Sequence, residues 1–140
     1  MTLRESAPME EKQARMLNPL QLAYIGDTVW DLLVRSRLIY RGRNVRNMHK
    51  DAVACVNARA QALAVQRIEA ELTEPEADVF RRGRNAHAHH AAPKNQEVAD
   101  YRAATGLEAL VGYLYLTGQE ERLLHLFALS QEESTCPVQQ

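Results

Sequence analysis

No stretch of the sequence approaches the ~18 consecutive apolar residues that a membrane-spanning helix requires, so no membrane role is expected. Met1 to Arg15 is polar and acidic and lacks the apolar centre of a secretory leader. Cysteine is scarce. Cys55 lies in an apolar helical pattern and Cys136 in a polar tail, so a structural disulfide is not expected. Neither belongs to a CxxC motif or to a Cys/His pair with zinc spacing. These absences together point to a reducing cytoplasm. Alternating polar and apolar runs bounded by turn dipeptides are also missing, which argues against a sheet. What remains is 140 residues, 46% apolar and 25% charged, enough for one domain with one core.

Acid is missing from two particular places. Between Leu32 and Lys50 there is no Asp or Glu, but there are Arg35, Arg37, Arg41, Arg43, Arg46 and Lys50. Between Val79 and Gln96 there is again none, beside Arg81, Arg82, Arg84 and Lys94. These six and four residues make ten of the 17 Lys and Arg, although the net charge is -1. Charge alone leaves two readings open: a surface for phosphates, or solvated helix ends and loops.

The apolar residues recur with helical period, and the chain reads as an all-α bundle of five to six helices. Asn18-Pro19-Leu20-Gln21 opens a helix running to about Ile39 and stopping near Gly42. A second helix is expected from about Asn47 to Glu71, and Thr73-Glu74-Pro75-Glu76 starts a short one. Asn85 to Asn95 reads as a loop, Gln96 to Thr117 as a long helix closed by Gly118, and Gln119 to Ser130 as the last. The expected layout is a flexible segment over 1–16, one domain over 17–130, and a disordered tail over 131–140.

Two carboxylates fall where a core stripe should be. Asp27 lies in the stripe Leu20, Ala23, Tyr24, Trp30, Val34, Leu38, and its burial would be costly without a partner. Gly26 beside it costs a helix roughly 1 kcal/mol relative to Ala, which makes sense if another backbone or a ligand comes close. Glu108 repeats the pattern among Ala104, Thr105, Val111 and Gly112. Either each acid pairs with a buried Arg or caps a neighbouring helix, or the two converge as oxygen ligands for magnesium.

At this point the residues resemble a family. Leu22-Ala23-Tyr24-Ile25-Gly26-Asp27-Thr28-Val29 resembles the signature helix of ribonuclease III, and Leu107-Glu108-Ala109-Leu110-Val111-Gly112-Tyr113-Leu114-Tyr115-Leu116 its second acidic motif. Leu17 to Asp27, Arg81 to Ala86, Pro93-Lys94-Asn95 and Tyr101 to Thr105 are similar to motifs of mini-ribonuclease III, the bacterial branch with the catalytic domain alone. The resemblance covers roughly Leu17 to Leu126. It implies the ribonuclease III helical fold, a homodimer, and Mg²⁺-dependent cleavage of double-stranded RNA to 5′-phosphate and 3′-hydroxyl ends, with Mn²⁺ as a possible substitute. The implied task is maturation of precursor large-subunit (23S) ribosomal RNA, with a ribosomal protein as a possible helper. A catalytically inactive RNA-binding protein on the same fold, acting in ribosome assembly, is the alternative.

Asp27 and Glu108 match two of the four metal-binding carboxylates of full-length ribonuclease III; the other two positions are Ala23 and Thr105. Mini-ribonuclease III shares that reduced set, so one firmly held Mg²⁺ is expected. Asp27 and Glu108 are therefore the expected catalytic and metal residues. Arg82, Arg84, Asn85, Lys94 and Asn95 are the expected contacts to the RNA backbone, since A-form RNA is read through its shape, phosphates and 2′-hydroxyls. His87, His89 and His90 lack a zinc-like ligand set and read as part of a loop near RNA. Tyr24, Trp30, Tyr113 and Tyr115 read as core or dimer-interface residues, and the apolar residues of the two long helices exceed what one small core needs.

Overall fold

In the computed structural model, which describes residues 3–4, 7–86 and 95–131, the chain is all-α with no strand among the described residues. The helices are α1 (Glu11–Arg15), α2 (Pro19–Tyr40), α3 (Val45–Val56), α4 (Ala58–Ile68), α5 (Glu74–Arg84), α6 (Asn95–Leu116) and α7 (Glu120–Ser130). Both capping boxes form as their sequences require. Leu20 N–H donates to Asn18 Oδ1 at 2.9 Å and Asn18 N–H to Gln21 Oε1 at 3.1 Å. Thr73 N–H donates to Glu76 Oε1 at 2.9 Å, and Glu76 N–H returns to Thr73 Oγ1. Gly118, at φ 75°, follows α6 in the left-handed conformation that closes a helix cheaply only in glycine.

The helix expected over Asn47 to Glu71 is two helices, which with α1 raises the number to seven. Asn57 breaks it: extended at ψ 164°, it ends α3 and accepts from Ala60 N–H at 2.9 Å to start α4. Asparagine competes for backbone hydrogen bonds and so prefers caps to helix interiors, a preference that the surrounding alanines mask. Val53 of α3 is exposed.

The core gathers around α6. Trp30 of α2 meets Phe127 of α7 edge to face at 5.1 Å, and Leu22, Val34, Val79, Leu107, Leu110 and Leu114 complete a dry centre. Where α2 crosses α6, glycine sets the spacing. A Cβ on Gly112 would stand 2.0 Å from the Leu22 carbonyl oxygen, so any side chain would force the helices apart.

Parts of the expected termini are docked. Within the segment expected to be flexible, Ala14 is fully buried and Met9 N–H donates to the Leu116 carbonyl at 2.9 Å. At the other end Gln131 is buried and its carbonyl accepts from Arg37 at 3.3 Å. The rest of the expected tail, 132–140, lies outside the described residues. Cys55 is disulfide-bonded, contrary to the expectation from sequence. Local pattern places a cysteine on its helix but does not say what its sulfur meets. No helix among the described residues is long and apolar enough to cross a membrane.

Candidate active site

The two anomalous acids come together because their helices touch. A Cβ on Gly26 would stand 1.7 Å from the Glu108 carbonyl oxygen, so the residue before Asp27 lies directly on the backbone that carries Glu108. The glycine thus serves close backbone approach, one of the two roles its position suggested. Asp27 and Glu108 face each other within hydrogen-bonding reach across one side of a cavity of about 660 Å³. Ala23, Tyr24, Thr28, Gln61, Tyr101 and Thr105 also line it.

Asp27 is exposed rather than buried in the stripe, because Leu20, Tyr24 and Asp27 line the cavity on the face of α2 that the core does not cover. Glu108 is half-buried. Burial first, and then the charge and hydrogen bond of Asp27, push its carboxyl up to about 8; a hydrogen bond from Gln61 acts in the opposite direction. Among the described residues no Lys, Arg or His lines the cavity, and neither acid takes part in an ion pair. The salt-bridge reading of these acids therefore has no partner among the described residues. Paired carboxylates without a cationic side chain suit a divalent cation that also keeps water ligands. No group of three or more Asp, Glu, His or Cys side chains is placed to share an ion among the described residues. That agrees with the reduced set, since Ala23 and Thr105 both line the cavity. The Thr105 hydroxyl donates to the Tyr101 carbonyl at 3.1 Å, leaving its oxygen able to accept from a water.

Gln61 escaped the reading of the sequence. It is only 2% exposed, and its Nε2 donates to Glu108 Oε2 at 3.3 Å. The available signal was a polar residue among Ala58, Ala60, Ala62 and Ala64, on a helix whose start was hidden by the missed break at Asn57.

The expected RNA contacts are not alike. Arg82 donates to the carbonyls of Arg15 and Leu17 and so ties α5 to the end of α1. Arg84 lies over the Phe80 ring at 5.7 Å, half-buried, while Asn85 is exposed at the end of α5. Lys94 and the histidines His87, His89 and His90 lie outside the described residues; Asn95 begins α6, and its side chain is not described. Among the aromatic residues, Trp30 and Tyr113 are core, Tyr115 is half-buried, and Tyr24 is 84% exposed at the cavity.

The chain matches the Ribonuclease III domain family over residues 20–119. Mini-ribonuclease 3 of Symbiobacterium thermophilum is 53% identical over 108 residues, covering 76% of this chain and 82% of that protein. Mini-ribonuclease 3 of a Thermoanaerobacter species is 48% identical over 115 residues, covering 81% and 80%. That of Brevibacillus brevis is 42% identical over 128 residues, covering 88% and 95%. A crystal structure of a Fusobacterium nucleatum protein is similar with a TM-score of 0.73 at 30% identity, covering 86% of this chain and 96% of that one.

Proposed function

The chain belongs to the ribonuclease III family and is an endoribonuclease of that class, and from this premise we propose that it cleaves double-stranded RNA with Mg²⁺ held by Asp27 and Glu108. The observation that carries the proposal is the pair itself: two carboxylates facing each other at an open cavity that no basic side chain lines among the described residues. Asp27, exposed at the rim, and Glu108, further in, supply oxygen ligands of the kind a hard cation selects. The cation, when bound, neutralises charge on the scissile phosphate and acidifies water. In the hydrolysis a water oxygen bonds to phosphorus and the bond to the 3′ oxygen breaks. The products are a 5′-phosphate and a 3′-hydroxyl that has taken up a proton. Gln61 holds Glu108 from behind, and Tyr24 and Thr28 border the approach.

The substrate we assign is precursor large-subunit (23S) ribosomal RNA, processed in the cytoplasm, with Mn²⁺ able to replace Mg²⁺. Arg84, Asn85, Lys94 and Asn95 would contact its backbone, with Arg82 contributing whatever donor capacity its two carbonyl partners leave. A ribosomal protein would help present the RNA. The working unit in this proposal is a homodimer. The excess of apolar side chains supports it on α2, where Tyr24, Leu32, Ile39 and Tyr40 are exposed, but not on α6, whose apolar residues mostly fill the core.

The deciding experiment is cleavage of a labelled RNA duplex by wild type and Asp27→Asn, with and without Mg²⁺. Metal-dependent cutting that the substitution reduces by orders of magnitude, with RNA binding kept, is the expected result. Binding without cutting by the wild type would favour the inactive RNA-binding reading.

A further inference from the structure

We propose that Gln61 is a positioning residue: its side-chain amide orients the Glu108 carboxylate towards Asp27 and keeps that pair set for a divalent cation. The inference rests on the reading of Asp27 and Glu108 as the cation's ligands. Three observations lead to it. Gln61 is 2% exposed and donates through Nε2 to Glu108 Oε2 at 3.3 Å. It is the one polar side chain among the buried residues of α4, which otherwise contributes Ala60, Ala62, Ala64, Val65 and Ile68. And α4 begins at the Asn57 cap, so Gln61 falls in its first turns, where the helix borders the cavity.

Burying an amide on an apolar helix face is costly unless its hydrogen bonds are made, so a Gln kept only to fill space is a poor choice there. The chemistry of the donor also discriminates. A Lys or Arg at this position would orient the carboxylate equally well but neutralise it, competing with the cation for the same charge. A neutral amide restrains the carboxylate and leaves the pair's negative charge available. Groups that hold a ligand from behind in this way typically govern metal affinity more than packing does.

The test is titration of the purified full chain with Mn²⁺, without RNA, by calorimetry, alongside thermal melts of the metal-free protein. Gln61→Met keeps the volume and removes the donor. Mn²⁺ affinity is expected to fall about 10-fold to 100-fold, with a metal-free melting temperature near that of wild type. In duplex cleavage the same variant should need correspondingly more metal, and recover most of its rate at saturation. Unchanged Mn²⁺ affinity in Gln61→Met overturns the proposal, as does a loss of stability with affinity intact. Gln61→Lys is the second variant. Its ammonium should raise the metal-free melting temperature and abolish Mn²⁺ binding, and binding as in wild type overturns the proposal even if Gln61→Met does not fold. A wild type that binds no Mn²⁺ overturns the ligand reading and this inference together, whereas a wild type that binds beside an unaffected Gln61→Met removes this inference alone.

Discussion

Gly26 lies on the backbone of Glu108, with room for no side chain: a Cβ there would stand 1.7 Å from the Glu108 carbonyl oxygen and 2.8 Å from the Gly112 amide nitrogen. One contact therefore sets both the spacing of the two longest helices and the meeting of the two carboxylates. Two effects of opposite sign compete at this position. Alanine is the better helix former by about 1 kcal/mol, while forcing an atom against a backbone that cannot move aside costs about 1–3 kcal/mol or more. The second effect should win. Gly26→Ala is expected to lower the melting temperature and to separate Asp27 from Glu108, with cleavage lost. A melting temperature raised by the substitution would show that the helices are not in contact here.

Glu108 makes the metal-free protein sensitive to pH. Its carboxyl, pushed by burial and by Asp27 from 4.5 to about 8, keeps a proton in the folded chain that the unfolded chain releases. Between those two values the folded state binds more protons, so stability falls as pH rises through the window. Thermal melts in a chelator should show that decline from about pH 4.5 to about pH 8, and Glu108→Gln should flatten it. A divalent cation should recover the loss at the upper end. A wild type equally stable across the window would contradict the geometry of the pair.

Glu76 and Arg122 tie α5 to α7. Arg122 Nε donates to Glu76 Oε2 and its Nη2 to Oε1, both at 2.9 Å, and Glu76 is 3% exposed. Burial alone would push the Glu76 carboxyl up; the hydrogen bonds from Arg122 and Thr73 outweigh it and hold the carboxyl below its usual range. The stability it lends is therefore present above its unfolded value and lost as pH falls through the lower folded one. Arg122→Met leaves a buried carboxylate uncompensated, and denaturant unfolding should register a loss of about 3–5 kcal/mol. The double variant Arg122→Met with Glu76→Gln should regain part of it.

Arg82 and Asn85 should separate structural from RNA-contacting roles. Arg82 donates to two backbone carbonyls, so Arg82→Ala is expected to cost about 1.5–3 kcal/mol in unfolding measurements. Asn85 is exposed, and Asn85→Ala should leave stability within about 0.5 kcal/mol while weakening duplex binding. Arg84→Gln removes one phosphate contact in the proposed interface and should lower the salt dependence of binding by about one unit of slope. An Arg84 variant with the wild-type slope would take that residue out of the interface.

Much of this protein is decided by local chemistry that the sequence already contains. The capping boxes at Asn18 and Thr73 and the glycine after α6 form from neighbours within four residues of one another, so they could be read without the fold. The same holds for the two acids as anomalies, since Asp27 and Glu108 each stand out against their own helix. Where the helix over Asn47 to Glu71 breaks was not legible, because one Asn in an alanine-rich run is a weak signal until its cap hydrogen bond is made. Which side of the stripe is covered, whether Arg82 meets carbonyls or solvent, and that Gln61 supports Glu108 are settled by contacts over 65 and 47 residues of chain. Helical period sets where a side chain points on its own helix; only the packing of helix on helix decides what it meets there.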